Sequence, residues 1–472
     1  MRKIFYLLLI PFLIALSQEK PTVIKCGALI DGKSDEVKKN VLILISGNKI
    51  EKVGNFKIPE NADVIDLSDM TVLPGLIDAH VHFFLHEGNY DDQLLKESIP
   101  YRTIRAVVHA KQTLEAGFTT VRDLETEGAG YADVDLKKAI DQGIIPGPRM
   151  QVSTRALSVT GGYALMGYSW EIQVPTGAQL VDGVDEARKA VREQIKYGAD
   201  WIKIYADSRR RRSEVADSLT WYLTFSDDEL KAIVEEANKM NVKVAAHCYS
   251  SIAAQKAVNS GVASIEHGLY LDEPTLKLMK EKGVYYCPTL LAYYRWSKRE
   301  GLSPEVKKMI ENTVKLHAET FKRALKVGVK IAFGSDLTEA HGSNAEEFEL
   351  MVKYGMKPMD AIKSATSVAA ELLGWQDKIG SIEPGKLADI IAVKGDPLKD
   401  ISVLKDVKFV MKDGKIVKNS KQFYSLQDYV FKSFNKCFRI IQGFCNDKFF
   451  NTIFDGYIPD EDSKFIKCFD II

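Results

Sequence analysis

Through the middle of the chain, short apolar runs alternate with longer amphipathic stretches. The runs "GLIDAHVHF" (75–83), "FTTVRDL" (118–124), "RMQVSTRAL" (149–157) and "DWIKIYA" (200–206) all have strand length. So do "VKVAAHC" (242–248), "ASIEHG" (263–268), "VYYCPTL" (284–290) and "KIAFGSD" (330–336). Helical segments are legible between several of them. In "SDDELKAIVEEANKM", Ser226 is placed as a cap and Glu229 falls three positions later, the spacing of a reciprocal capping box. Eight strands separated by crossovers predict an α/β fold, a (β/α)8 barrel of the TIM type, over residues 74–378.

Both flanks of this region read differently. "TVIKCGALIDG", "VLILISGNKIEKVG" and "ADVIDLSDMTVLPG" punctuate Val/Ile-rich runs with Asp-Gly and Gly-Asn, and "GSIEPGKLADIIAVKGDP" and "VKFVMKDGKIVKN" repeat that texture near the other end. Such punctuation marks β-hairpins. Residues 18–73 and 379–422 are therefore expected to pair into one small composite β-sandwich. Residues 423–472, rich in Phe, Lys, Asn and Ile, match neither texture and form an extension of unassigned role.

At the start, Arg2 and Lys3 precede an apolar run, Ile4 to Leu16, with a small-x-small site ending at Ser17. The run is short for a bilayer span and reads as a signal peptide over 1–17. The expectation is a secreted or extracytoplasmic protein with no membrane association after cleavage. Lys plus Arg and Asp plus Glu both total 64, so no net field favours nucleic acid. The basic run "SRRRRSE" (208–214) reads as a solvated loop. Six cysteines in 472 residues make no disulfide framework. Cys26, Cys248 and Cys287 are expected as buried thiols, while Cys437, Cys445 and Cys468 leave room for one bridge.

The polar residues on the apolar runs are the unusual ones. His80 and His82 stand two apart near the end of the first run and face the same side. Lys203 lies within the fourth, His247 and His267 end the fifth and sixth, and Asp336 ends the eighth. Barrel chemistry gathers at the carboxyl ends of strands, so these six groups converge on one mouth. Lys203 raises its own question: an ammonium among Trp201, Ile202 and Ile204 is costly to bury unless paired or chemically altered.

"PGLIDAHVHF", "WIKIY", "VAAHC", "SIEHG" and "FGSD" resemble the signatures of the amidohydrolase superfamily, over roughly residues 22–420. "HGSNAEEFELMVKYGMKPMDAIKSAT" is similar to its imidazolonepropionase-like and Xaa-Pro dipeptidase-like branch. The resemblance implies two divalent metal ions. His80, His82 and Asp336 would hold one and His247 and His267 the other, with Lys203 bridging as an N-carboxylated lysine. Imidazole and carboxylate donors suit zinc, with manganese or cobalt as substitutes. Asp336 would be the catalytic proton carrier.

Three further residues are candidates for substrate contact: Tyr163 in the Gly-rich loop "SVTGGYALMGYSWE", Tyr205 beside Lys203, and His341 after Asp336. Relatives of the dipeptidase-like branch often carry a His where Tyr163 stands, a departure that bears on substrate preference. His86, His109 and His317 fall off the pattern and are expected at the surface or on helices. The resemblance implies cleavage of a carbon–nitrogen amide bond in a small molecule, a dipeptide or an N-acyl amino acid. Cyclic-amide or lactone opening and xenobiotic amide hydrolysis are the rivals. A non-catalytic scaffold is the distant alternative, opposed by six competent residues at the six ligand positions. Relatives that assemble from several barrels make a homo-oligomer an open expectation.

Overall fold

The computed structural model describes residues 20–163, 165, 167–209 and 217–420. The signal-peptide segment 1–17, Arg210 to Glu214 of the basic run and the extension 423–472 with its three cysteines lie outside the described residues.

All eight expected runs appear in the barrel wall. Seven contribute parallel strands: Leu76–Val81, Phe118–Asp123, Arg149–Val152, Trp201–Tyr205, Lys243–Ser250, Ser264–Tyr270 and Tyr285–Cys287. The eighth, at 330–336, closes the ring through backbone hydrogen bonds on both sides. Tyr286 N–H donates to Lys330 O at 2.9 Å, Ala79 N–H to Phe333 O at 2.9 Å and Asp336 N–H to His80 O at 2.8 Å. The gap between the third and fourth strands is bridged by Asp200 N–H on Val152 O at 2.8 Å.

Two strands are shorter than the sequence suggests. The third is interrupted after Val152, because Thr154 takes a left-handed φ of 59° and its N–H turns to the Asp133 carboxylate, and it rejoins the wall at Leu157, which pairs with Ile204. The seventh stops at Cys287, since Pro288 has no N–H to continue the ladder and Thr289 has φ 52°. The helix after the fourth strand forms as expected. It spans Asp227–Lys239, with Ser226 capping the Glu229 N–H and the Glu229 carboxylate returning to Ser226.

The two chain flanks meet in one seven-stranded sheet. Strands from the N-terminal side, Thr22–Ile30, Val37–Ser46, Lys49–Gly54 and Asp63–Pro74, join Ile390–Val393, Val407–Lys412 and Lys415–Asn419. The seam is the antiparallel pairing of Val72 with Ala392 and its neighbours. Ile50 N–H donates to Lys386 O and Ala388 N–H to Asn48 O, both at 2.9 Å, so the sheet doubles over on itself. Ile24, Ile43, Leu67, Val72, Ile390 and Phe409, all fully buried, fill the fold. Burying side chains of this size is worth roughly 1.5–3 kcal/mol each. The architecture is a (β/α)8 barrel carrying a small β-sandwich built from both ends of the chain. No helix among the described residues is long and apolar enough to cross a membrane.

Candidate functional site

At the carboxyl ends of the strands the barrel opens into a cavity of about 630 Å³. His82, Lys203, His247, His267 and Asp336 all line it, and His80 lies directly beneath, fully buried. His80 Nε2 and His82 Nε2 are 3.2 Å apart. Asp336 Oδ1 is 3.5 Å from the first and 3.1 Å from the second, and its Oδ2 is 3.7 Å from His267 Nδ1. The His267 ring lies 5.0 Å from that of His80 and 4.6 Å from that of His247.

Backbone geometry explains how strand residues turn into the mouth. His267 has φ 69° and Asp336 has φ 51°, values that non-glycine residues rarely adopt. The turn at His267 breaks the alternation of its strand, so Glu266 and His267 both point inward. Glu266 is fully buried and its Oε2 meets His80 Nδ1 at 2.8 Å. That contact fixes the tautomer and orientation of His80 and leaves Nε2 for the centre of the site. Glu266 Oε1 in turn accepts from Arg122 Nη2 at 2.8 Å, and the guanidinium lies 4.4 Å over the Trp201 ring. The barrel floor is thus a linked chain of fully buried charged and polar groups from Arg122 through Glu266 to His80.

Lys203 is 1% exposed. Among the described residues it pairs with no carboxylate within ion-pair distance; its amine lies 5.7 Å from the Tyr205 ring centre. Salt-bridging, the ordinary way to keep a buried ammonium, is absent there. A neutral or derivatised amine removes the problem.

The electrostatics divide the histidines of the site. Burial alone would lower His82, but hydrogen bonding and attraction to Asp336 outweigh it and raise the imidazole to about 9. His80 and His267 are pushed down by burial and by the neighbouring positive groups. His80, His82 and Asp336 offer ligand atoms within 4.8 Å of one another, a donor set that suits a divalent cation.

Tyr163 and Tyr205 both reach the cavity wall and stack at 4.4 Å. His341 does not. It is buried behind the wall, with Nε2 on Leu85 O at 3.1 Å and its ring stacked on His109 at 4.0 Å. His109 and His317 are on helices as expected, but both are buried, while His86 lines the cavity rim and contacts Glu97 at 2.9 Å. Cys26, Cys248 and Cys287 are buried free thiols.

The sequence reading passed over the acidic residues. Glu125 and Glu127 follow the second strand, 0% and 3% exposed, and Glu127 lines the cavity. Glu125 Oε2 accepts the Tyr205 hydroxyl at 2.5 Å; burial and then the Glu127 charge push its carboxyl up to about 8. The missed signal for Arg122 and Glu266 was a charge inside an apolar strand run, the same signal that singled out Lys203. For Glu125 and Glu127 there was little, because "LETEG" reads as an ordinary polar loop.

Comparison with known proteins places this geometry. A model of the amidohydrolase family matches residues 71–417. Ochratoxinase from Aspergillus niger is 35% identical over 438 residues, 86% of this chain and 89% of that one. The crystal structure of a Xaa-Pro dipeptidase with bound methionine in the active site superposes with a TM-score of 0.76 at 39% identity, covering 84% of this chain and 99% of that one. That of a prolidase complexed with N-methylphosphonate-L-proline gives 0.77 at 34% identity, covering 85% and 100%.

Proposed function

Since this chain belongs to the amidohydrolase family, we propose that it cleaves the amide bond of a dipeptide or an N-acyl amino acid with the help of two divalent cations. That it is a hydrolase acting on carbon–nitrogen bonds follows from the family and its relatives. The observation that carries the finer reading is the gathering of His80, His82, His247, His267 and Asp336 around a buried Lys203 that pairs with no carboxylate among the described residues, at the floor of one cavity.

In this reading His80, His82 and Asp336 hold one cation and His247 and His267 the other, with zinc the ion that best suits the donors. Lys203 joins them as its carbamate, an anion in place of an ammonium, which removes the cost of an unpaired buried charge. When bound, the cations supply the positive charge that acidifies a water and polarises an amide carbonyl. The remaining work belongs to side chains. Asp336, 16% exposed and the one carboxylate of the ligand group facing the cavity, takes a proton at Oδ1 or Oδ2 and passes it to the leaving amine. Glu266 keeps His80 in one tautomer throughout. Arg295 and Arg299, on the cavity wall after the seventh strand, carry the charge needed to hold a substrate carboxylate. The tyrosine-lined walls fit a bulky acyl or side-chain group, which keeps a xenobiotic amide as second reading beside the ochratoxinase likeness.

The test is a screen of the full chain, loaded with zinc and bicarbonate, against dipeptides and N-acyl amino acids, following release of the free amino acid. Turnover that chelators abolish, and that Lys203→Ala lowers by about a thousandfold or more, is the expected result. Full activity in Lys203→Ala would remove the carbamate, and chelator-resistant turnover would remove the metal mechanism.

A further inference from the structure

We infer that Glu127, with Glu125 behind it, seats the ammonium group of the substrate, so that the preferred substrate is a dipeptide with a free α-amine. The inference rests on the amide-hydrolase reading above and specifies which charge the acyl side of the substrate carries.

Glu127 faces the cavity, yet it is 3% exposed and its backbone holds φ 52°. A non-glycine residue in that region costs on the order of 1–3 kcal/mol. The strain sets a carboxylate in the wall where a glycine would fit without cost. Its partners are neutral. Oε2 accepts from the Tyr90 hydroxyl at 2.8 Å and Oε1 from the Tyr163 hydroxyl at 3.3 Å. The nearby guanidinium of Arg102 is occupied by backbone carbonyls, those of Phe84, Thr126 and Glu127, the last at 2.8 Å. Among the described residues, the one ion-pair contact of Glu127 is His82 Nδ1, at 3.9 Å. That nitrogen is closer to Glu125 O, at 3.2 Å. The cationic groups nearest this buried carboxylate, His82 and Arg102, are thus both turned to backbone carbonyls, and a buried carboxylate without a directly bonded counter-charge is expensive to keep.

A second observation is independent of the first. Glu125 uses Oε2 for the Tyr205 hydroxyl, and its fully buried Oε1 has no hydrogen-bond partner among the described residues. Buried polar atoms of this kind are rare and call for a ligand or water. An ammonium offers three donors, enough for Glu127 and for a polar group beside it. The Tyr163 and Tyr205 rings, stacked at 4.4 Å, and Tyr90, edge-on to Tyr163 at 6.0 Å, add faces that attract a cation.

The position around the ring matters too. Glu127 follows the second strand and Tyr163 the third, while Arg295 and Arg299 follow the seventh, on the far side of the eight-stranded wall. Arg295 also contacts Glu346 at 3.0 Å and Arg299 contacts Glu339 at 3.0 Å, so the basic side is partly neutralised. A dipeptide laid across the mouth would put its ammonium on Glu127, its carboxylate towards the arginines and its amide over Lys203 and Asp336. Hydrolysis adds one water across the C–N bond. The acyl residue keeps its ammonium, and the second residue leaves as an amine that has gained a proton.

Two substrates that differ only at the amine provide the test: an alanyl dipeptide and its N-acetyl derivative, with the full chain loaded with zinc and bicarbonate. The wild type should show a KM for the free dipeptide about 10-fold or more below that for the N-acetyl compound. Glu127→Gln can keep an acceptor for a tyrosine hydroxyl. It should raise KM for the free dipeptide by about 10- to 100-fold, and by much less for the N-acetyl compound, so that the preference between the two substrates collapses. Equal losses on both substrates, or a loss confined to kcat, would make Glu127 a positioning residue acting through His82 and overturn the inference. A wild-type preference for the N-acetyl compound would overturn it as well, while leaving the amide-hydrolase reading intact. Failure to cleave any amide in the set, with two metal ions per chain counted, sinks that reading and the inference with it. If Glu127→Gln does not fold, inhibition of the wild type decides: butylammonium should compete with the dipeptide and butanol should not, and equal inhibition by the two overturns the inference.

Discussion

Single residues in this protein earn their place by what surrounds them. Lys203 stands out in a sequence because ammonium groups are seldom buried, and in the fold because no carboxylate among the described residues answers it. Asp31 shows the opposite case, a carboxylate with every lone pair satisfied. Burial would raise it, but Lys38 Nζ at 2.9 Å and the N–H groups of Lys33 and Ser34 outweigh burial and hold it at about 2, below the ordinary 3.8. A depressed carboxyl stabilises the fold above its ordinary value and loses that contribution as pH falls through the folded value. Asp31→Asn should therefore lower stability at pH 7 by about 1 kcal/mol, after discounting for the half-exposed lysine. The gap from wild type should close between about pH 4 and pH 2 in thermal melts taken across that range. A gap that persists at pH 2 would mean that packing, and not charge, makes the difference.

Among the elements, the eighth barrel run is the one held most by its neighbours. It forms few ladder bonds of its own, yet it carries Asp336 and passes against the first strand at Gly334. A Cβ there would meet Cys287 Sγ and come within 2.9 Å of the His80 Cβ. Gly334→Ala should cost about 1–3 kcal/mol through overpacking and displace His80, lowering metal occupancy as well as the melting temperature. Cys287→Ala combined with it removes the clashing sulfur and should restore part of both. A double variant no better than the single one would place the strain elsewhere. The same packing explains why this run is legible in sequence only as a short apolar stretch: its strand character comes from Tyr286 and Ala79 on either side.

For the whole molecule, the question is how a sheet built from both chain flanks is fastened to the barrel. Arg149, at the start of the third strand, answers it with two contacts of 2.6 Å, to Asp389 and to Asp413. Asp389 is 5% exposed, so removing its partner leaves a buried charge unpaired, at a cost of about 3–5 kcal/mol. Arg149→Ala should lower the melting temperature in calorimetry while the barrel and sheet still unfold in one transition and the dipeptide KM stays the same. Two resolved transitions would show that the sheet and barrel are joined by this contact and little else.

Much of this was readable from residue order alone. Eight apolar runs at crossover spacing implied a barrel, and hairpin punctuation at the two flanks implied a shared β layer. Chain length, strand period and turn residues are local properties, and local properties survive in a sequence. The six groups from His80 to Asp336 were legible for a related reason: a polar residue inside an apolar run is conspicuous wherever the run ends up. What residue order could not supply was position in space. Glu125 and Glu127 look like loop residues until the left-handed turns after the second strand bring them beside Tyr90, Tyr163 and Tyr205. His341 looks like a site residue until the fold stacks its ring on His109 and turns its Nε2 to the Leu85 carbonyl. Burial, charge pairing and the direction of a side chain are set by residues far away along the chain, and tertiary structure alone decides them.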